Sequence, residues 1–186
     1  MEKKLDLRVV KTRAALTDAL YELMCEKSLD DITVTELCDR AVIRKATFYK
    51  HFGDKTELLV YMIQEMQRLT KENNTIGYDP EDPYSYYSGV FGYLVDFIDS
   101  NERFILNVLR SSSGSYIRNL LEKQIRLDID ERLRQEGRED LRKSHGMLSA
   151  IYAGSIVSCG IWWIMQENRP EKEQVVSQFT QFINRL

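Results

Sequence analysis

Residues 33–52 read TVTELCDRAVIRKATFYKHF and contain two short helical patterns separated by only a few residues. Thr33 followed by Glu36 three residues later is the capping-box signature of a helix N-terminus. A short turn separates this helix from a second one, which is predicted from Arg44 to about His51. The second helix carries a cluster of hydroxyl, aromatic and basic side chains. That composition suits a helix lying in a DNA groove with phosphates beside it.

Composition indicates an all-α protein. The chain has 186 residues, of which 43% are apolar and 30% charged, as in ordinary globular domains. Only three prolines and nine glycines interrupt it, which favours helices over a strand-rich fold. Three widely spaced cysteines without a CxxC pair argue against a disulfide framework and a zinc site. We therefore predict no metal and no cofactor.

The distribution of charge points to nucleic acid at one end of the molecule. The net charge is −3, so the chain as a whole is not basic. Residues 1–13 nevertheless carry five lysines and arginines against two acidic residues, and residues 33–55 carry five against three. A basic N-terminal patch on an acidic body fits a protein that touches DNA with that end.

Periodic apolar residues predict helices along the whole chain. The face of the first helix is formed by Leu16, Ala19, Leu20, Leu23 and Met24. A turn-rich stretch at 73–82, NNTIGYDPED, is the predicted domain boundary. We expect a helix-turn-helix DNA-binding domain at 1–54, a connecting helix at 55–72, and a larger helical bundle for ligand binding and dimerisation at 73–186.

The segment 147–165 has no charged residue and approaches the length of a membrane span. Its serines, glycines and cysteine make a poor span, and a helix covered by neighbours on all sides also lacks a polar face. We predict a buried helix and no membrane partner, with a single span as the alternative.

The tight helix pair predicts specific DNA contacts. In a helix-turn-helix unit the N-terminal residues of the second helix reach base edges in the major groove, and here these are Arg44, Lys45 and Ala46. The residues that follow carry donors suited to phosphate oxygens: Thr47, Tyr49, Lys50 and His51. Lys55, at the start of the next helix, places a cation beside exposed backbone amides, and both favour a phosphate.

Two aromatic residues of the same stretch are predicted to be core. Phe48 and Phe52 are four residues apart and so share one face of a helix. Tyr49 is expected to turn its hydroxyl outward.

The segment ITVTELCDRAVIRKATFYKHFGDKTELL resembles the N-terminal DNA-binding region of the tetracycline-repressor (TetR) family. The resemblance covers about residues 8–65 and rests on matches at Ala41, Ala46, Thr47, Phe48, Tyr49, His51, Phe52, Lys55, Leu58 and Leu59. With Thr33, which starts the first helix of the pair, it implies an all-helical dimer that binds double-stranded operator DNA.

Two residues depart from the family pattern. Val42 stands where the turn usually has glycine, and a β-branched residue disfavours positive φ, so we expect another backbone conformation or stored strain. Arg44 replaces the usual capping serine, which removes an acceptor that stabilises a helix start by ~1 kcal/mol. We interpret the exchange as a changed operator preference.

For the C-terminal half the resemblance implies a pocket for a small-molecule effector, whose class the residues do not define. Aromatic residues suit the lining of such a pocket, although at helical spacing they are more often plain core. The candidates are Tyr87, Phe91, Tyr116 and Trp162. The segment SSSGSYIRNLL and the late Trp162–Trp163 pair are similar to regulators of the dihydroxyacetone-kinase operon activator type.

The last two helices predict a homodimer. Ala150, Gly154 and Ser158 form a small-residue stripe on one helix, and Phe179, Phe182 and Ile183 form an apolar face on the other. Because too few helices remain in one chain to cover both, we expect them to pair with the same helices of a second copy.

The sequence therefore predicts a dimeric, cytoplasmic DNA-binding regulator, a repressor controlled by an effector. An enzyme is disfavoured, because the chain has no Gly-rich phosphate loop, no ExxH pair and no nucleophile elbow. The alternative is a helical adaptor or co-regulator that binds another protein and has weak or no DNA affinity.

Overall fold

The computed structural model describes residues 7–72, 84–135 and 145–185. Within these ranges every regular element is helical, which confirms the all-α prediction. The elements are α1 (Leu7–Glu26), the 3₁₀ turn η1 (Leu29–Asp31), α2 (Val34–Arg40), α3 (Lys45–His51), α4 (Lys55–Glu72), α5 (Ser85–Ser100), α6 (Glu102–Arg110), α7 (Gly114–Gln135), α8 (His145–Ile164) and α9 (Lys172–Ile183).

The helices form two compact units. The described part of the first unit is residues 7–72 with 103–114, and that of the second is 84–102, 115–135 and 145–185. The boundary that the sequence predicts at 73–82 lies outside the described residues.

The first unit is built on α1. Its buried residues are the five that the periodicity predicts, and they pack α1 against α2 and α4. The helix that bears the predicted DNA contacts, α3, packs on α2. Burial of this apolar face contributes about 1.5–3 kcal/mol for each large side chain and holds the short helices in place.

One helix from later in the chain belongs to this first unit. The Asn107 side chain of α6 donates a hydrogen bond from Nδ2 to the Met24 carbonyl (2.8 Å), and the rings of Phe104 and Tyr21 lie 5.3 Å apart. The domain bounds expected from the sequence place α6 in the 73–186 region. Its apolar residues indicated burial and did not specify the partner.

The residues that follow α6 also bind within the first unit. At the corner of residues 111–114, the Ser112 amide and hydroxyl both donate to the Asp30 carboxylate, at 2.8 and 2.7 Å. Gly114 makes this corner possible, because a Cβ there would lie 2.7 Å from the Leu109 carbonyl oxygen.

The second unit is centred on α5, which packs against both α8 and α9. Tyr87 of α5 stacks on Tyr152 at a centroid distance of 4.2 Å. The α5–α8 approach is close at Gly160, where a Cβ would lie 3.0 Å from Leu94 Cδ2.

Among the described helices, α8 alone is long and apolar enough to cross a membrane by length and composition. A core helix of a soluble protein meets the same criterion. Buried α8 residues such as Ile156, Val157 and Trp163 face the interior of the second unit. Part of α8 is therefore buried in the second unit, as expected for a core helix, while other residues of α8 are exposed.

Candidate nucleic-acid interface

The Thr33 side chain caps the start of α2. The Thr33 hydroxyl accepts a hydrogen bond from the Glu36 amide at 3.1 Å, as predicted. The Glu36 carboxylate in turn accepts from Lys27 Nζ at 2.8 Å, and this bond holds the pKa of Glu36 below its ordinary value. Thr33 itself is exposed, so its hydroxyl is accessible from solvent.

The turn between α2 and α3 is strained. Val42 has φ +56°, the left-handed region, and its side chain is 91% exposed. The turn is closed by hydrogen bonds from the Val42 amide to the Asp39 carbonyl (3.2 Å) and from the Ile43 amide to the Cys38 carbonyl (2.9 Å). The sequence allowed either another backbone conformation or stored strain at Val42, and the structure has the strained conformation. Such strain costs about 1–3 kcal/mol.

Helix α3 is anchored by its two phenylalanines. Phe48 is 0% exposed and Phe52 4%, which confirms both as core. Arg44 occupies the N-cap position without a side-chain capping bond, so the missing serine acceptor is not replaced.

The predicted contact residues of α3 lie on its outer side. Tyr49 is 58% exposed and packs edge-on against Phe48, with a centroid distance of 5.3 Å. Four other residues of the set are exposed and two are half-buried: Arg44, Lys45, Ala46 and Lys50, then Thr47 and His51. We call Arg44–His51 without Phe48 the reading surface. It presents three permanent cations and a phenol on one short helix and its cap.

Lys55 has a different environment from the one expected. Its Nζ donates to the carbonyl oxygens of Leu29 (2.6 Å), Asp30 (3.0 Å) and Ile32 (2.8 Å). An ammonium group has three N–H donors, so these bonds use them all. The structure thus makes Lys55 a clamp on η1, whereas a phosphate contact would require at least one of the bonds to be given up.

Side-chain hydrogen bonds also cap the start of α4 and hold Gly53, which comes just after α3. Asp54 Oδ1 accepts from the Glu57 amide at 2.8 Å, and Glu57 Oε2 accepts from the Gly53 amide at 2.6 Å. Asp54 therefore caps α4. The reading surface thus lies between two helix starts that are capped by side chains.

The candidate effector residues do not share one environment. Tyr87 and Phe91 are buried, and Phe91 stacks on Phe179 at 4.0 Å. Tyr116 is 56% and Trp162 48% exposed.

Part of the reasoning behind the dimer prediction is corrected by the structure. Phe179 and Ile183 are buried within the chain, because α5 covers α9. Gly154 lies against Glu122, and Ser158 accepts a hydrogen bond from Arg118 at 3.1 Å, so α7 approaches this part of the small-residue stripe.

Other predicted interface residues do face solvent. Ala150, Ser158 and Phe182 are exposed. Four large apolar residues are also exposed along α8 and just after it: Met147, Ile151, Trp162 and Met165. Their spacing, i, i+4, i+15 and i+18, places them along one side of the helix. This stripe is recognised from the exposure of the side chains in the structure.

Two family profiles match the chain. Residues 16–62 match the profile described as bacterial regulatory proteins of the tetR family, and residues 87–185 match a transcriptional regulator C-terminal region. The second match alone spans more than half of the chain.

Relatives include two uncharacterised regulators of the helix-turn-helix type. The chain is 39% identical over 82 residues to YxbF of Bacillus subtilis, covering 44% of this chain and 22% of that protein. It is 30% identical over 132 residues to a regulator of Haemophilus influenzae, covering 65% of this chain and 61% of that one. The matched regions thus span less than two thirds of each relative.

Solved structures share the fold over nearly the whole chain. A TetR transcriptional regulator from Streptococcus agalactiae superposes with a TM-score of 0.64 at 19% identity, covering 96% of each chain. The dihydroxyacetone kinase operon activator DhaS gives 0.65 at 19% identity, covering 94% of each. At this identity the likeness concerns the fold alone.

Proposed function

The chain belongs to the TetR family, and from this we propose that it binds a pseudo-palindromic operator as a homodimer and represses transcription until a small-molecule effector binds. Membership makes it a transcriptional regulator with a helix-turn-helix DNA-binding domain and not an enzyme. We propose in addition that the protein binds an operator, forms a dimer, represses transcription and responds to an effector. We also propose that it acts in the cytoplasm.

The observation that carries the proposal is the composition and exposure of the reading surface. Phe48 and Phe52 hold α3 from beneath, while Arg44, Lys45 and Lys50 point their charges away from the core. A helix held in this way can enter the major groove without rearrangement. This pre-organisation reduces the entropy lost on binding.

We assign two kinds of contact to this surface. Arg44 and Lys45 at its N-terminal end are placed to meet guanine acceptors, and the Ala46 methyl a thymine methyl. The remaining members, together with Thr33 at the start of α2, donate to phosphates and set the register of the helix: Thr47, Tyr49, Lys50 and His51. Lys55 is left out, because its donors are bound to carbonyl groups of the chain.

The exposed stripe on α8 supports the homodimer. Ile151, Trp162 and Met165 present large apolar surface to water, and such surface marks an interaction site. An isologous contact through this stripe would pair two reading surfaces for inverted half-sites, about 34–36 Å apart or somewhat more.

The effector part rests on the aromatic interior of the second unit. The stacked pairs Tyr87–Tyr152 and Phe91–Phe179 offer flat apolar faces that a small molecule could separate. Such a ligand changes DNA affinity only by binding two conformations with different affinities, and we propose that the tilt of α4 distinguishes them. The name of the structural neighbour DhaS is that of an activator, so the same fold also serves activation.

Selection from random-sequence duplexes tests the proposed function. The wild-type protein should enrich an inverted repeat, and Arg44→Ala should enrich a repeat that is less restricted at one position in each half. A promoter carrying the repeat should be silenced in a reporter assay. No enrichment over the starting pool would favour the adaptor function, and activation of the reporter would reverse the proposed sign.

A further inference from the structure

Arg13 of α1 is held between aromatic rings at the end of the reading surface. Its guanidinium carbon lies 5.0 Å from the ring centroid of Tyr61 on α4 and 5.9 Å from that of Phe52, the residue that ends α3. Both distances are within the range of a cation–π contact. One side chain thus joins three helices of the DNA-binding unit.

The charge of this side chain is not neutralised within the described residues. No carboxylate there pairs with Arg13, and its Nε is buried without a hydrogen-bond partner. A guanidinium has five N–H donors and stays protonated at any physiological pH. A stacked arginine lacking acceptors of its own has donors to offer an external anion.

The position of Arg13 indicates that the external anion is a DNA phosphate. Phe52 follows His51 and Lys50 directly in the chain, so the guanidinium lies beside the C-terminal end of the reading surface. Base edges are read at the other end of α3, whereas the C-terminal end is where phosphate donors collect. Arg13 also belongs to the basic N-terminal patch, residues 1–13, which the charge distribution relates to DNA.

We propose that Arg13 is a phosphate-binding residue for DNA, pre-oriented by the rings of Phe52 and Tyr61. This inference rests on the proposed function, since it adds a contact to the same interface. Stacking fixes the plane of the guanidinium and leaves its edge for a bidentate contact with a phosphate.

The variant Arg13→Met tests the contact, because methionine keeps the apolar stem and removes the charge. The probe is the duplex that the wild-type protein selects from a random pool, titrated at several salt concentrations. We expect the slope of log K against log salt to fall by about 0.9 for each protomer. Affinity at low salt should fall about tenfold for each protomer.

The control is Lys123→Met, which removes an exposed charge from α7, outside the basic N-terminal patch. This variant should leave the salt slope unchanged. A slope and affinity equal to wild type for Arg13→Met, with only a lower melting temperature, would show that Arg13 is a structural link and overturn the inference.

If Arg13→Met does not fold, the variant Arg13→Lys tests the phosphate contact instead. Lysine keeps the charge and loses the planar fork, so we expect an unchanged salt slope with affinity reduced about threefold or more. Wild-type affinity for this variant would contradict the inference. Failure of the wild-type protein to bind any duplex would instead refute the proposed function.

Discussion

At the scale of single residues, Val42 tests the strain in the helix-turn-helix turn. Val42→Gly removes the clash of a β-branched side chain at φ +56° and loses no buried contact. We expect the free energy of unfolding in urea to rise by about 1 kcal/mol, after allowing for the backbone entropy of glycine. Val10→Gly, at a half-exposed position within α1, should slightly lower it. If Val42→Gly lowered the free energy of unfolding as Val10→Gly does, the claim that the turn is strained at Val42 would be contradicted.

Substitution of Lys55 distinguishes a structural role, as the clamp on η1, from a role in phosphate binding. Lys55→Met removes the donor for three carbonyl groups of η1 and its flank, which should lower the free energy of unfolding by about 1.5–3 kcal/mol. Lys50→Met, at an exposed position, should change it by less than about 0.5 kcal/mol. Equal stability of the two variants, with a smaller salt slope for Lys55→Met, would restore the phosphate contact that the sequence predicts.

These residues show what sequence reasoning could and could not reach. Burial of Phe48 and Phe52 follows from their spacing, and the capping roles of Thr33 and Asp54 follow from local chemistry. The bonds of Lys55 join it to residues 23–26 positions earlier, and no local pattern encodes such contacts.

At the scale of elements, the corner after α6 is tied to η1 by Ser112 and Asp30. The two hydrogen bonds from Ser112 hold the pKa of the Asp30 carboxyl below its ordinary value. A carboxyl with a depressed folded pKa stabilises the protein above its unfolded pKa, about 3.9, and this stabilisation is lost as the pH falls through the folded pKa.

Ser112→Ala should therefore destabilise the protein at neutral pH and by a smaller margin below about pH 4. The measurement is the free energy of unfolding of both proteins from neutral pH down to below the ordinary pKa of an aspartate, about 3.9. In an Asp30→Asn background the same substitution should show no such pH dependence. If the free energies of unfolding of the wild-type protein and Ser112→Ala differed by the same amount at every pH, the hydrogen bonds to the ionised Asp30 carboxylate would not be the cause of the difference.

The elements themselves were well predicted, and their partners were not. The buried face of α1 agrees with the sequence pattern. Periodicity reports which face is covered, but the covering element depends on packing that is distant in sequence. Periodicity therefore identifies neither the first unit as the place of α6 nor α5 as the cover of Phe179.

At the scale of the whole molecule, the apolar stripe on α8 predicts the oligomeric state. Trp162→Glu and Met165→Glu place charges in the proposed interface and should shift the protein from dimer to monomer in sedimentation velocity. Operator affinity should fall with it, because each half-site is then bound alone. Leu127→Glu, on exposed α7 surface, is the control and should stay dimeric. A monomeric wild-type protein would remove the dimer from the proposal.

The central claim is that the reading surface of α3 binds DNA, and the salt dependence of operator binding tests it most directly. The double variant Tyr49→Phe, Lys50→Ala is compared with wild type and with Lys123→Ala, which removes an exposed charge from α7. For the double variant we predict weaker affinity and a salt slope smaller by about 0.9 for each lysine–phosphate pair that the substitution removes. The control should show no change in either quantity. Equal slopes and affinities for all three proteins would contradict the account.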